Sequence, residues 1–206
     1  MDGTLLDTEP LHFEAHHRFL ATVGITPTEA QMVGNIGKGD VSFYSGLMAA
    51  QGVQGDAVAW VAGKTRILIG ICREQGVRLL PGGHELLDHA WREGITCVVV
   101  TSSERVLAEA ALAAAGLDQR LAMRVCREDT VRHKPHPEPY LLAMSRLGLP
   151  AERCLVVEDS PSGIASGRTA GCRVAALAGH FDAAHLRQAG AQRVLTRLDD
   201  LLPLEP

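Results

Sequence analysis

The sequence predicts an α/β protein in which helices cover a parallel sheet and a helical segment is inserted near the amino terminus. After Val77, short apolar runs alternate with amphipathic stretches, which is the pattern of strands followed by helices. The apolar runs are continuous, as expected for strands that are buried on both faces of a parallel sheet. Residues 9–77 have helical periodicity and contain no convincing strand. Together these observations predict a Rossmann-like core with an α-helical cap.

The predicted elements of the core follow one another in regular order. The apolar runs predicted as strands are Ile95–Val100, Ala122–Cys126, Cys154–Val157, Arg173–Ala178 and Arg193–Leu195. The amphipathic stretches predicted as helices are Gly83–Glu93, Glu104–Ala115, Pro137–Leu147, Ser162–Ala170 and Asp182–Ala189. Ligands of such sheets bind beyond the carboxyl ends of the strands, so functional residues are sought there.

The inserted segment is predicted to form a bundle of helices. Leu11, Ala15, Phe19 and Val23 recur every four residues and form one apolar stripe, with Thr8 as a predicted cap. A loop over residues 34–39 follows, then Asp40 as a second predicted cap, and a longer helix from residue 56 to residue 76. We therefore predict a core made of residues 1–8 and 78–206 and a helical cap made of residues 9–77.

Composition excludes several classes of function. The chain has 206 residues, is 46% hydrophobic and 21% charged, and carries a net charge of −4, so it can form a core and does not resemble a nucleic-acid-binding protein. It contains neither an apolar run of about 18 residues nor a signal peptide, so no membrane association is expected. None of the five cysteines forms a CxxC pair, which argues against a zinc or disulfide framework and favours a reducing cytoplasm. A monomer is the default expectation.

The run Ile95–Val100 ends in three hydroxyl residues that precede a predicted helix. Thr101, Ser102 and Ser103 would place hydroxyl and backbone N–H groups at the positive end of that helix, which suits a phosphate. The alternative is that Ser102 or Ser103 only caps the helix.

The run Cys154–Val157 ends in two adjacent carboxylates, Glu158 and Asp159. Two such charges at a strand end are costly without a cation, and oxygen ligands of this kind suit Mg²⁺. The alternative is that Asp159 or Ser160 caps the helix that begins near Pro161.

Two further segments are weak signals when taken alone. Lys134 lies among prolines that restrict its backbone, and its charge could offset phosphate and carboxylate charge; the alternative is a solvated turn lysine. Asp2 and Gly3 open the chain with a common turn signal.

In order along the chain, these motifs resemble the haloacid dehalogenase superfamily. The resemblance is strongest to the β-phosphoglucomutase-like phosphatases, whose helical cap follows the first motif. It rests on DGTLLDTEP at residues 2–10, the hydroxyl residues at 101–103, KPHPEPY at 134–140 and VVEDSPSGI at 156–164. The resemblance implies Mg²⁺-dependent hydrolysis of a small phosphomonoester, such as a sugar phosphate, through an aspartyl-phosphate.

The resemblance also implies a role for each strand-end residue. Asp2 would be the general acid and base, and its backbone carbonyl would bind Mg²⁺. Thr101 and the Ser102 N–H group would bind a phosphoryl oxygen, while Lys134 would neutralise charge on the phosphoryl group. Asp159 would bind Mg²⁺ directly. Glu158 would do so directly or through water.

The first motif departs from the family pattern Asp-x-Asp-Gly-Thr. Met1 occupies the x position, so the nucleophilic aspartate and the central strand before it would precede this sequence. Either Met1 is an internal methionine of a longer protein, or the short chain is the natural product and lacks activity. We expect the 206-residue chain itself to hydrolyse phosphomonoesters very poorly, because no aspartyl-phosphate can form.

The cap supplies the candidate substrate residues. The resemblance implies that Thr8, Glu9, His12, Lys38 and Lys64 approach the substrate; the alternative is that these are ordinary helix and loop residues. The 34–39 loop lacks the arginine with which the mutase holds a second phosphate, which favours hydrolysis over mutase activity. A phosphate-binding protein without catalysis is the third hypothesis.

Overall fold

The computed structural model describes residues 1–34 and 39–204. Lys38, one of the predicted substrate residues, lies outside this described part. The chain divides into two compact units: a sheet unit of Met1–Asp7 and Val77–Pro206, and a helical unit of Thr8–Gly76. These boundaries differ by one residue from the predicted borders of core and cap.

The helical unit consists, in its described residues, of α1 (Glu9–Thr22), α2 (Glu29–Val33), α3 (Asp40–Gln51) and α4 (Ala57–Gln75). Asp56 begins α4 as predicted, since its carboxylate accepts the Val58 N–H at 2.9 Å. Helix α4 packs against α1 and α3. The core between these helices contains the buried side chains Phe19, Leu20, Ile25, Tyr44 and Leu47.

Three local predictions for the helical unit are wrong. The Thr8 side chain makes no capping hydrogen bond to α1. Asp40 is the first residue of α3 rather than its cap, which is Gly39, because the Asp40 carboxylate is held by Lys64. Val23 is 37% exposed and leaves the apolar stripe, since α1 ends one residue earlier.

The sheet unit alternates strands and helices as predicted. Its strands are β1 (Val99–Val100), β2 (Arg124–Val125), β3 (Leu155–Glu158), β4 (Arg173–Leu177) and β5 (Arg193–Leu195). Its α-helices are α5 (Gly83–Arg92), α6 (Arg105–Ala114), α7 (Glu138–Leu147), α8 (Pro161–Thr169) and α9 (Ala183–Gln188). Short 3₁₀ turns follow at Arg127–Asp129, Ala151–Arg153 and Leu198–Leu201.

The strands form two parallel sheets, one of β1 and β2 and one of β3, β4 and β5 in that order. Val99 lies opposite Arg124 in the first sheet, and Val157 lies opposite Ala175 in the second. Helix α8 packs on β3 and β4 through Gly167, where a Cβ atom would already lie 3.1 Å from both Val156 and Val174. The predicted α/β class with parallel strands is therefore confirmed.

The first two strands are much shorter than the apolar runs that predict them. Ile95–Val100 contributes two paired residues, because residues 95–98 have no neighbouring strand within the described chain. Val98, Val100 and Val157 are only half-buried, although continuous apolar runs predict burial on both faces.

Candidate active site

The first residues of the chain form a tight turn at the carboxyl ends of β1 and β3. The Met1 carbonyl accepts the N–H groups of Leu5 at 2.9 Å and Leu6 at 3.0 Å, which folds the segment back on itself. Gly3 has a φ of +66°, and a Cβ atom there would collide with the Asp159 carboxylate. The glycine thus allows the turn to approach the end of β3.

The turn is fixed by one hydrogen bond to each sheet. The Ser103 hydroxyl, just beyond β1, donates to Asp2 Oδ2 at 2.8 Å. The Thr4 hydroxyl donates to Asp159 Oδ1 at 2.6 Å at the end of β3. Asp2 and Asp159, which lie far apart in sequence, are therefore brought to the same edge of the sheet unit.

Thr101 is the first residue beyond β1 and is buried. Its backbone N–H donates to the Val125 carbonyl at 2.9 Å, and its hydroxyl accepts the Ser103 N–H at 3.1 Å. Ser102 between them is exposed. Neither serine caps α6, because Glu104 occupies the N-cap position. The capping alternative is wrong here.

Lys134 and Glu158 form a buried ion pair at the same edge. The Lys134 side chain is 9% exposed and its ammonium group contacts Glu158 Oε1, so the alternative of a solvated turn lysine is wrong. The same ammonium group donates to the Val100 carbonyl at 3.0 Å. Lys134 is thereby tied to the ends of both β1 and β3.

Glu158 is surrounded by donors. Besides Lys134, the Tyr140 hydroxyl donates to Oε1 at 2.6 Å, and Oε2 accepts the Ser160 hydroxyl at 3.2 Å and the Asp159 N–H at 3.3 Å. Burial works to raise the pKa of Glu158, but the charges of Lys134 and of the Met1 amino group, with the hydrogen bonds from Lys134 and Tyr140, hold the pKa below its usual value. The group is a carboxylate whose two oxygens are already engaged.

Asp159 has the opposite electrostatic character. Burial and the adjacent Glu158 charge raise the pKa of Asp159 above its ordinary value, although Thr4 donates to it. Ser160, not Asp159, caps α8 by accepting the Gly163 N–H at 3.1 Å. A partly buried carboxylate that is costly to ionise next to a second one fits a divalent cation, whose charge would offset that cost.

A complete metal site is not preformed in the described residues. Within residues 1–34 and 39–204, no group of three or more His, Cys, Asp or Glu side chains is arranged to hold an ion. The oxygen donors Asp2 and Asp159 suit Mg²⁺ chemically, while Glu158 is committed to Lys134 and Tyr140.

The helical unit contains a polar cluster of its own. Lys64 is 2% exposed and donates to Asp40 Oδ2 at 3.0 Å, and its Nζ lies 2.8 Å from His12 Nδ1. His16 Nδ1 lies 2.8 Å from the Tyr44 hydroxyl, and its Nε2 lies 3.6 Å from Asp40 Oδ1. Two predicted substrate residues, His12 and Lys64, therefore share one partly buried network.

Asp40 is the centre of this network. Burial opposes its ionisation, but the neighbouring His16 ring and the Lys64 charge outweigh burial and hold the pKa of Asp40 well below its usual range. Two other predicted substrate residues of this unit are Thr8, which is buried, and Glu9, which is exposed.

The sequence predicts Asp2, Thr101, Lys134 and Asp159 as site residues but assigns no site role to several residues that contact them. Thr4 and Tyr140 lie within the quoted motifs, and Ser103 lies beside Thr101, so their positions were visible in the sequence. Their contacts depend on turn geometry and rotamers, for which the sequence carries no direct signal.

Parallel strands with two carboxylates, a buried lysine and hydroxyl groups at their carboxyl ends are the arrangement of a Rossmann-like protein with a charged site at the strand ends. The sequence model of the haloacid dehalogenase-like hydrolases matches residues 1–177, and the chain belongs to this family.

Curated relatives and solved structures agree with this assignment. The chain is 34% identical over 194 residues to hexitol phosphatase A of Escherichia coli, covering 91% of this chain and 85% of that protein. It is 33% identical over 179 residues to N-acetylmuramic acid 6-phosphate phosphatase of Pseudomonas aeruginosa, covering 86% and 78%. Crystalline CbbY of Rhodobacter sphaeroides in complex with phosphate superposes with a TM-score of 0.82 at 26% identity, covering 98% of this chain and 93% of that one.

None of the helices described in residues 1–34 and 39–204 combines the length and apolar character needed to cross a bilayer.

Proposed function

We propose that this chain forms the catalytic edge and cap of a Mg²⁺-dependent phosphatase that acts on a small phosphorylated sugar or sugar alcohol. The observation that carries the proposal is the convergence of Asp2, Asp159 and the Lys134–Glu158 pair on one edge of the sheet unit. Relatives named as hexitol and N-acetylmuramic acid 6-phosphate phosphatases support the substrate class.

Thr101 and Lys134 bind the phosphoryl group in this proposal. The Thr101 hydroxyl is held beside the Ser103 N–H, and the Ser102 N–H adjoins them in the chain, so donors for phosphoryl oxygens lie together after β1. Lys134 supplies positive charge where charge develops during transfer. Glu158 positions that ammonium group.

Mg²⁺ would be held by Asp159 and the Asp2 backbone carbonyl, and would neutralise charge on the phosphoryl oxygens. Glu158 is assigned to Lys134, and to the ion only through water, because its oxygens already accept hydrogen bonds from Lys134, Tyr140 and Ser160. This narrows the sequence-based expectation, in which Glu158 was also a candidate direct ligand.

Asp2 moves the protons. In a chain extended by an aspartate before Met1, that carboxylate would attack phosphorus, the bond from phosphorus to the sugar oxygen would break, and Asp2 would give its proton to the leaving oxygen. A water molecule then attacks the aspartyl-phosphate and loses its proton to Asp2, which releases phosphate and restores the nucleophile. Ser103 holds the Asp2 carboxylate in position by its 2.8 Å hydrogen bond.

The experiment compares two extended chains that differ only in the residue added directly before Met1. Both carry a short apolar strand before Met1; in one the last added residue is Asp, in the other Asn. With Mg²⁺ and a panel of hexitol and sugar phosphates, we expect the Asp chain to release phosphate at least about 100-fold faster. Equal rates would contradict the proposal, and isomerised sugar phosphate without free phosphate would indicate a mutase instead.

A further inference from the structure

Three sulfur atoms from separate segments of the chain come together at the amino ends of β3 and β4. Cys154 directly precedes β3, and Cys172 directly precedes β4. The Cys172 Sγ atom lies 3.6 Å from the Sδ atom of Met144 in α7. Both cysteines are free thiols. The residues proposed for phosphate transfer lie at the opposite, carboxyl ends of the strands, so this sulfur cluster is separate from them.

The strand register places the two cysteines side by side. Leu155 lies opposite Arg173 in the parallel pairing of β3 with β4, so the residues directly before them are also neighbours. Adjacent strands are about 4.8 Å apart, and side chains at matching positions point to the same face. Cys172 is buried in the same apolar cluster as Met144, and Cys154 packs against that cluster. Both thiols therefore lie on the face of the sheet that Met144 covers.

The spacing of the sulfur atoms fits a metal ion better than a disulfide. Three sulfurs around one ion, with bonds of about 2.3 Å as in Zn–S, lie about 4 Å apart, which is close to the distance between Cys172 and Met144. A disulfide needs Cβ atoms about 3.8 Å apart, whereas matching positions of adjacent strands are about 4.8 Å apart. The Cys154 thiol donates a weak hydrogen bond to the Pro150 carbonyl at 3.5 Å, and rotation about its χ1 angle would turn it towards the other two sulfurs.

The surroundings keep both thiols protonated while no ion is bound. Burial raises the pKa of Cys172 to about 11 and also raises the pKa of Cys154. Because oxidants react with the thiolate, both cysteines resist oxidation. A metal ion deprotonates the thiols that it binds. The adjacent Arg153 charge, which acts to lower the pKa of Cys154, would offset the negative charge of two thiolates, while Glu152 acts in the opposite direction.

We propose that Met144, Cys154 and Cys172 form a binding site for one Cu(I) ion. Thiolate and thioether sulfurs are soft ligands that select Cu(I), whereas Mg²⁺ takes oxygen ligands. A structural zinc ion takes four Cys or His ligands, and the part of the chain that the structure describes holds no group of even three such ligands, with Asp and Glu included. On binding, the two thiols release their protons to solvent and three Cu–S bonds form, with no change in oxidation state. The proposal is independent of the phosphatase reaction.

The test is an anaerobic titration of the reduced 206-residue chain with Cu(I), supplied from a competing chelator whose absorbance reports the copper it still holds. We expect one ion per chain and an ultraviolet charge-transfer band from sulfur to copper. Cys154→Ser should weaken binding at least about 100-fold, and Met144→Leu, which nearly preserves volume but removes the thioether, at least about 10-fold. Unchanged binding by the Cys154→Ser variant would overturn the proposal.

Cys97→Ser is the matched control, because Cys97 is half-buried like Cys154 but belongs to the run that leads into β1. This variant should keep the full affinity for Cu(I), and an equal loss of affinity would overturn the proposal. Circular dichroism checks that each variant is folded. In the unchanged chain, Cu(I) should slow alkylation of Cys154 but not of Cys97. A protein mass lowered by two hydrogens would show a disulfide in place of the ion, and sedimentation as a copper-bridged dimer would show a site shared by two chains; either result would overturn the proposal.

Discussion

Each unit of this protein buries a lysine against a carboxylate, but the two pairs are built differently. In the sheet unit, Lys134 meets Glu158, and both side chains are less than 10% exposed. In the helical unit, Lys64 is only 2% exposed, but its partner Asp40 is 27% exposed. The Lys134–Glu158 pair lies between strand ends, where several donors hydrogen-bond to the Glu158 carboxylate. The Lys64–Asp40 pair lies among helices, with two histidines beside it. When one partner of a fully buried ion pair is removed, the remaining charge stays buried without compensation, which strongly lowers the stability of the fold. When the remaining partner is partly exposed, water can solvate it, and the loss of stability is smaller.

The largest expected effect is on the sheet unit. Lys134→Met would leave the Glu158 charge buried with only neutral donors, so we expect the free energy of unfolding to fall by about 3–5 kcal/mol. Urea unfolding followed by circular dichroism measures it. The matched control is Lys134→Met combined with Glu158→Gln, which should recover much of the loss. A loss below about 1 kcal/mol for the single variant would show that this pair is hydrated after all.

Lys64→Met should have a smaller effect, because water can reach the partly exposed Asp40 once its partner is removed. We expect a loss of about 2 kcal/mol, measured by hydrogen exchange of amides in α1 and α4. A loss as large as that for Lys134→Met would remove the distinction between the two pairs.

The two buried tyrosines sharpen the comparison. Tyr140 donates to the ionised Glu158, so Tyr140→Phe should cost about 1.5 kcal/mol or more, as hydrogen bonds to charged groups do. Tyr44 contacts the His16 ring, and Tyr44→Phe should cost about 1 kcal/mol. Thermal unfolding of both variants measures the difference. Equal costs would mean that the charge on Glu158 adds nothing to its hydrogen bond.

The smallest expected effect is the pH dependence of the helical unit. The pKa of Asp40 is lower in the folded protein than in the unfolded chain, so the unfolded chain binds the extra proton first. Asp40 therefore stabilises the fold above about pH 4, and this contribution declines as the pH falls further. Hydrogen exchange at a series of pH values, with Asp40→Asn as the control, should show a weaker acid dependence in the variant. An identical acid dependence in the Asp40→Asn variant and the unchanged protein would show that Asp40 does not cause it.

Much of the architecture could be predicted from local pattern, because helix and strand periodicity are local properties. Helices α5 to α9 begin and end within about two residues of their predicted bounds. Strand pairing is not local, and the length of β1 differs from its apolar run for that reason: only Val99 and Val100 meet a neighbour.

The candidate site likewise has a part that the sequence predicts and a part that depends on how distant segments fold together. Thr101 and Asp159 were predicted because each follows an apolar run, whereas Asp2 and Lys134 were predicted only from the resemblance of the ordered motifs to a family. The partners that fix them, such as Ser103 and Tyr140, depend on contacts between segments distant in sequence. Asp40 was expected to cap a helix, and only the fold brings it to Lys64.

The central claim is that Asp2 moves protons at the strand edge, and phosphate release by the Asp-extended chain tests it most directly. Asp2→Asn is compared with Asp182→Asn, an exposed helix cap whose function asparagine preserves. With Mg²⁺ and a hexitol phosphate, we predict that Asp2→Asn lowers kcat at least about 100-fold and that Asp182→Asn leaves it unchanged. Full activity of the Asp2→Asn variant would contradict the account.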